Sequence, residues 1–147
     1  MRFGVHHLNT YFPELDGTQS AMYRHLFEQV QLAEEVGFDD VWFTEHHFHE
    51  FGGLIPDPPV FLAALAGVTS RIHLGVAISV LPLNEPLQNA ESYAMVDVAS
   101  NGRLELGVGR GANPEVSRWV HNGVSSLTGD GAPRAPQRPP ALFRWRL

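Results

Sequence analysis

The chain has 147 residues, 44% of them apolar and 18% charged, with ten Lys/Arg against sixteen Asp/Glu and a formal net charge of −6. It contains no cysteine, which excludes disulfides, thiolate metal sites and cysteine nucleophiles and makes the cytoplasm the expected location. No apolar run approaches the ~20 residues that cross a bilayer, and residues 1–117 carry fifteen acids against five arginines, a balance that excludes a nucleic-acid backbone as partner.

In chain order, residues 2–8 predict a short strand, and the opening Met1-Arg-Phe-Gly-Val5 lacks the apolar h-region of a secretory signal. A loop containing Pro13 and Gly17 leads to a helix over roughly 19–36, where Met22, Leu26, Val30 and Ala33 recur at helical spacing and Gly37 is the stop. Residues 39–44 predict a second strand, which opens into the polar stretch Thr44 to Gly53. Asp57-Pro58 is an N-cap followed by a first-turn proline and starts a helix over roughly 58–69 that is apolar nearly all round. Residues 72–80 read as a buried strand. Asn84-Glu85-Pro86 opens a further helix to about Ser100, with Leu87, Ala90, Ala94 and Val98 as its apolar face and Asn101-Gly102 as its end. Residues 103–109 predict a fourth strand.

Strands alternating with helices through short connections imply an α/β fold of right-handed βαβ units on a parallel sheet. Four units in about 110 residues, at about 27 each, make eight units roughly the size of a (β/α)8 barrel. The expected architecture is therefore a set of parallel βα units of a (β/α)8 TIM-type barrel, truncated to about four units, with an irregular C-terminal tail. A doubly wound sheet is the competing fold, but the first βα turn lacks a G-x-G-x-x-G phosphate loop. The expected division is a half-barrel over 1–115 and a Pro/Arg-rich tail over 116–147. The tail holds Pro133, Pro136, Pro139 and Pro140 and shows no period of 2 or 3.6. It is expected to be loop or disorder, and not native barrel sequence, as a shifted reading frame after about residue 116 would produce.

In such folds the loops at the C-terminal strand ends form the active face. His6 and His7 end the first strand, Ala77 to Ser79 the third, and Gly109-Arg110-Gly111 the fourth. After the second strand, three histidines and two carboxylates fall within the six residues Glu45 to Glu50. Histidines near carboxylates suit either metal ligation or general acid–base work beside an organic cofactor. The spacing matches no H-E-x-x-H helix, so the metal reading is the weaker. A polar loop facing water is the plain structural alternative. Period two along the fourth strand puts Leu104, Leu106 and Val108 on one face and Gly107 and Gly109 on the other, inside the barrel, where they leave space for a flat ring. A bulge or tight packing would explain the glycines equally well. Arg110 offers a cationic fork for a phosphate or carboxylate, or pairs with a surface acid.

Four pieces of this sequence together resemble the bacterial luciferase-like flavin monooxygenases. They are Met1-Arg-Phe-Gly4; Gly37-Phe-Asp-Asp-Val-Trp42 leading to Glu45-His-His-Phe48 and Glu50-Phe-Gly52; Leu74-Gly-Val-Ala77 to Leu81-Pro82; and Asn101-Gly-Arg103 to Gly107-Val-Gly-Arg110-Gly111. The resemblance covers residues 1 to about 115 and implies a (β/α)8 barrel that uses reduced FMN, supplied by a flavin reductase, and O2 to oxygenate a small organic substrate. It implies that His46 handles protons at the flavin, with Glu45 as a supporting neighbour. It implies that Arg110 contacts the flavin phosphate and that Gly109 lies beside the ring, where the luciferase catalytic subunit has a cysteine. It also implies that Ala77-Ile78 forms a non-proline cis peptide under the ring, and that two copies pair through the helices at 58–69 and 86–100. A flavin- or deazaflavin-dependent reductase on the same scaffold and a non-catalytic half-barrel remnant are the alternatives.

Overall fold

Alternation along the strands makes a sheet with two unlike faces. A computed structural model describes residues 1–47 and 52–111; the expected tail at 116–147, and His49 and Glu50 of the histidine cluster, lie outside the described residues. Strands β1 (Gly4–His7), β2 (Asp40–Phe43), β3 (His73–Val80) and β4 (Leu104–Gly109) form a parallel sheet in the order β1-β2-β3-β4. The register sets Val5, Val41, Leu74 and Leu104 in one row. Phe43 and Val76 pair in a second row on the same face. These side chains belong to the core formed with the helices, and Val41, Phe43, Leu74 and Val76 are fully buried in it.

The intervening residues face the other way. There Arg2 bridges Asp40 and Glu105, His73 Nδ1 lies 3.1 Å from Glu105 Oε1, and Trp42 lies across Gly75. A doubly wound sheet reverses its strand order and covers both faces with helices. The sequential order and the polar second face are those of a barrel wall.

The helices begin where the sequence supplies caps. In α2 (Gln19–Glu35) Thr18 accepts from Ala21 N, in α3 (Pro58–Ala66) Asp57 accepts from Val60 N, and in α4 (Pro86–Ala99) Glu85 accepts from Gln88 N. A single extra turn, α1 (Pro13–Asp16), precedes them. α2 buries Met22, Leu26, Val30 and Ala33, the four residues expected from spacing. α3 buries Phe61, Leu62, Leu65 and Ala66 while Val60, Ala63 and Ala64 face outward.

The expected face of α4 is corrected. Leu87, Ala90, Ala94 and Val98 are exposed, and the buried face is Tyr93 and Val96, flanked by Asn89 and Ser100. Those two polar residues sit inward because they have partners: Asn89 Nδ2 donates to Ser79 Oγ at 3.4 Å, and Ser100 Oγ accepts from Arg103 N at 3.2 Å.

Two side chains fasten the turn between α3 and β3. The Glu34 carboxylate accepts from Ser70 N, Arg71 N and Ile72 N at 2.5–2.9 Å. The buried Arg103 guanidinium donates to the carbonyls of Ala66, Thr69, Ile72 and Ser100 and to Thr69 Oγ1. Arg103 follows Asn101 and Gly102, both at positive φ (60° and 77°), a turn that aims it back under the sheet.

Candidate functional site at the C-terminal strand ends

The sheet is interrupted at one place. β3 pairs Val76 with Leu106 and Ser79 with Val108, so Ala77 and Ile78 together oppose Gly107. This is a β-bulge. The Ala77–Ile78 peptide is cis, as the resemblance implied. A Cβ added to Gly107 would come 2.7 Å from the Val76 carbonyl oxygen, and one on Gly109 would come 2.3 Å from Ile78 Cδ1. The glycines therefore do not leave the open space expected from their alternation. The extra residue of the bulge tips Ile78 onto Gly109, and bare backbone at 107 and 109 makes room for it. The result is a platform of peptide and one apolar side chain.

β2 ends in the buried residues Thr44 and Glu45, then turns outward at His46, which is exposed. Gly52, at φ +77°, lies against the His46 ring; a Cβ there would approach Nδ1 to 2.6 Å and Leu8 Cδ1 to 2.8 Å. His46 is thus placed between the loop's return and the end of β1. The carboxylate of Glu45 reaches sideways to β3. Its Oε2 accepts from Val80 N at 3.0 Å, and Oε1 accepts from Asn84 Nδ2 at 3.3 Å. Oε1 also lies 2.9 Å from His47 Nε2. The Glu45 carboxylate thus meets the ring of His47 in its own loop. Asn84 follows a 3₁₀ turn (Leu81–Leu83), and nothing in the sequence marked it as a neighbour of the histidine loop.

The structure gathers most of the expected groups at one end of the sheet. Glu45 ties the β2 loop to the end of β3, Ile78 packs on Gly109, and Val80 lies against Gly111. Arg110 stands exposed just beyond β4. His7 is the exception. It shares a row with Phe43 on the helix side and stacks on that ring, with centroids 5.1 Å apart, instead of joining His6 at a cavity. Burial, followed by the charge of His6, lowers its pKa below the ordinary 6.5. Behind the platform, burial pushes the Tyr93 phenol up to about 12.

Among the described residues, Asp40, His73 and Glu105 bring ligand atoms within 4.8 Å of one another. This cluster includes none of the histidines in the Glu45–Glu50 run. It lies at the opposite, N-terminal end of the strands, where the Arg2 guanidinium already bridges the two carboxylates.

A sequence model of luciferase-like monooxygenases matches residues 1–139. The alkanal monooxygenase alpha chain of the Kryptophanaron alfredi symbiont is 40% identical over 111 residues, which are 76% of this chain and 30% of that protein. The crystal structure of a monooxygenase from Streptomyces bottropensis superposes with a TM-score of 0.77 at 33% identity, over 86% of this chain and 42% of that one. The oxygenating constituent of 3,6-diketocamphane monooxygenase from Pseudomonas putida, solved in complex with FMN, superposes with a TM-score of 0.74 at 25% identity, over 82% and 32%. The chain thus spans about a third of the length of the relatives it matches. Among the described residues, no helix is long and apolar enough to cross a membrane.

Proposed function

This chain belongs to the luciferase-like monooxygenase family, and from that premise we propose that its four βα units build the part of a flavin monooxygenase site that holds FMN and handles protons beside it. The observation that carries this reading is the β3 bulge packed on Gly107 and Gly109, with the His46 loop fastened to the same strand by Glu45. A side chain at either glycine would collide with the bulge, so bare backbone at 107 and 109 is what allows the bulge to present its peptide and Ile78 to a ring.

These residues fit FMN. Ala77, Ile78 and Gly109 supply an uncharged surface for the ring, and Arg110, exposed beyond β4, supplies a planar cation for its phosphate. When bound and reduced, the flavin supplies the electrons with which O2 oxygenates an organic substrate. His46 takes up or delivers a proton at the rim through its imidazole. Ile78 and the bulge exclude water from one side. The reduced flavin comes from a separate reductase, consistent with a relative described as an oxygenating constituent. The proposed location is the cytoplasm, as the absence of cysteine suits.

The proposal extends to a homodimer. α3 exposes Val60 and α4 exposes Leu87, Met95 and Val98, apolar side chains on two helices that pack together.

Titrating the 147-residue chain with FMN and following flavin fluorescence tests the site. Saturable quenching is expected; a folded chain that leaves millimolar FMN unquenched overturns the reading. With reductase and O2 present, His46→Ala is expected to lower turnover about a hundredfold or more while FMN affinity stays close to native. Undiminished turnover removes His46 from the chemistry.

A further inference from the structure

We propose that Glu45 is a positioning residue, whose buried carboxylate clamps His47 and the end of β3 and so fixes His46 relative to the β3 bulge. The inference rests on the flavin reading for its catalytic meaning, but its geometry stands apart from it.

A carboxylate taken out of water needs hydrogen-bond donors on both oxygens. Glu45 is only 4% exposed. Its donors come from separate places: the backbone of Val80 at the end of β3, the side chain of Asn84 beyond the 3₁₀ turn, and the ring of His47 in its own loop. Asn84 Nδ2 also donates to Val80 O at 3.1 Å, which closes a small ring around the carboxylate. The strand end and the loop are therefore joined through one carboxylate.

The sequence order gives the clamp its purpose. Glu45 and His47 flank His46 and are joined to each other, so the backbone on either side of His46 is anchored while its side chain stays exposed. Simple burial of a loop carboxylate has no need of a histidine two residues on. The carboxylate accepts only, so a neutral His47 must carry its hydrogen on Nε2 and its lone pair on Nδ1. Neutral histidine in water already prefers Nε2–H but keeps a minor Nδ1–H form, so the clamp is marked by the loss of that minor form.

Ring ¹⁵N NMR of the native 147-residue chain, at a pH where its histidines are neutral, reads the tautomer directly. The Nε2–H form of His47 is expected; an Nδ1–H form or a solvent-like mixture overturns the clamp without requiring any variant. In Glu45→Gln the single acceptor oxygen cannot serve Val80 N on one side and Asn84 and His47 on the other, so the clamp must open on one side. The His47 tautomers should then mix, and kcat should fall about tenfold to a hundredfold, as when a partner that orients a histidine is lost, with FMN affinity changed less than about threefold. A native His47 spectrum together with native kcat in Glu45→Gln overturns the proposal. If the native chain shows Nε2–H on His47, and Glu45→Gln disperses it, yet FMN does not bind, the clamp stands and the flavin reading falls.

Discussion

Gly107 and Gly109 look interchangeable in the sequence, two small residues at alternate positions of one strand. Their neighbours differ in kind. An alanine at 107 would press on the Val76 carbonyl, which is backbone and cannot step aside, whereas one at 109 would press on the tip of Ile78. Gly107→Ala is expected to lower stability by about 1–3 kcal/mol, as overpacking does, and Gly109→Ala by less, because Ile78 can change rotamer. Urea midpoints of the two variants check the order; equal losses would mean that Ile78 is as immobile as the backbone. At this scale the sequence was informative about type and poor about direction. Counting strand ends placed His46, Ala77, Gly109 and Arg110 at one rim. His7 ends β1 but plays a structural part, stacked on Phe43 on the helix side. Glu45 was legible as a neighbour of His46, but its bond to His47, two residues along, was not.

Among the elements, α2 was fully legible and α4 was read on its wrong face. The difference is one of composition. α2 puts its apolar residues where the core is, whereas α4 spends Asn89 and Ser100 on buried contacts and leaves Leu87, Met95 and Val98 outside. A search for apolar periodicity cannot find a buried face that is partly polar, and it is drawn to an exposed apolar one. That exposed strip is testable. Val98→Glu, at a position 82% exposed, is expected to leave stability within about 0.5 kcal/mol of native while shifting sedimentation from dimer to monomer; a variant that sediments as the native chain does rules out this surface as the interface. The turn entering β3 makes the opposite prediction. Arg103→Met would strip the carbonyls of Ala66, Thr69 and Ile72 of their donor, and unsatisfied buried groups cost about 1–3 kcal/mol each. A loss of about 3 kcal/mol in denaturant unfolding is expected, with Arg103→Lys recovering part of it, since an ammonium supplies fewer and less rigid donors.

For the whole molecule, two groups on the helix side of the sheet set the response to acid. His7 holds its proton more weakly when folded than its ordinary 6.5, because it is buried. The unfolded chain therefore takes up more protons as pH falls below 6.5, and stability falls with it. For Glu34, partial burial acts to raise the pKa, but the amides of Ile72, Arg71 and Ser70 and the charge of Arg103 together hold it below the ordinary 4.5. Its contribution is present above 4.5 and is lost as pH falls through the lowered value. Thermal unfolding followed between pH 8 and 3 should show both declines, and His7→Phe, which keeps the stack on Phe43, should remove the first. A Tm that is flat from pH 7 to 5 would contradict the assignment. Parallel order and a barrel wall were legible from the alternation of strand and helix; the polar inner face was not, because its ion cluster draws on Arg2, Asp40, His73 and Glu105 from four separate stretches of chain. That two-faced sheet bears on synthesis. Its hydrocarbon side is roofed by helices over β1 to β3, whereas Leu106 and Val108 of β4 stay 46% and 52% exposed. The first three strands can thus settle as they leave the ribosome, while the outer face of β4 still has apolar surface to cover.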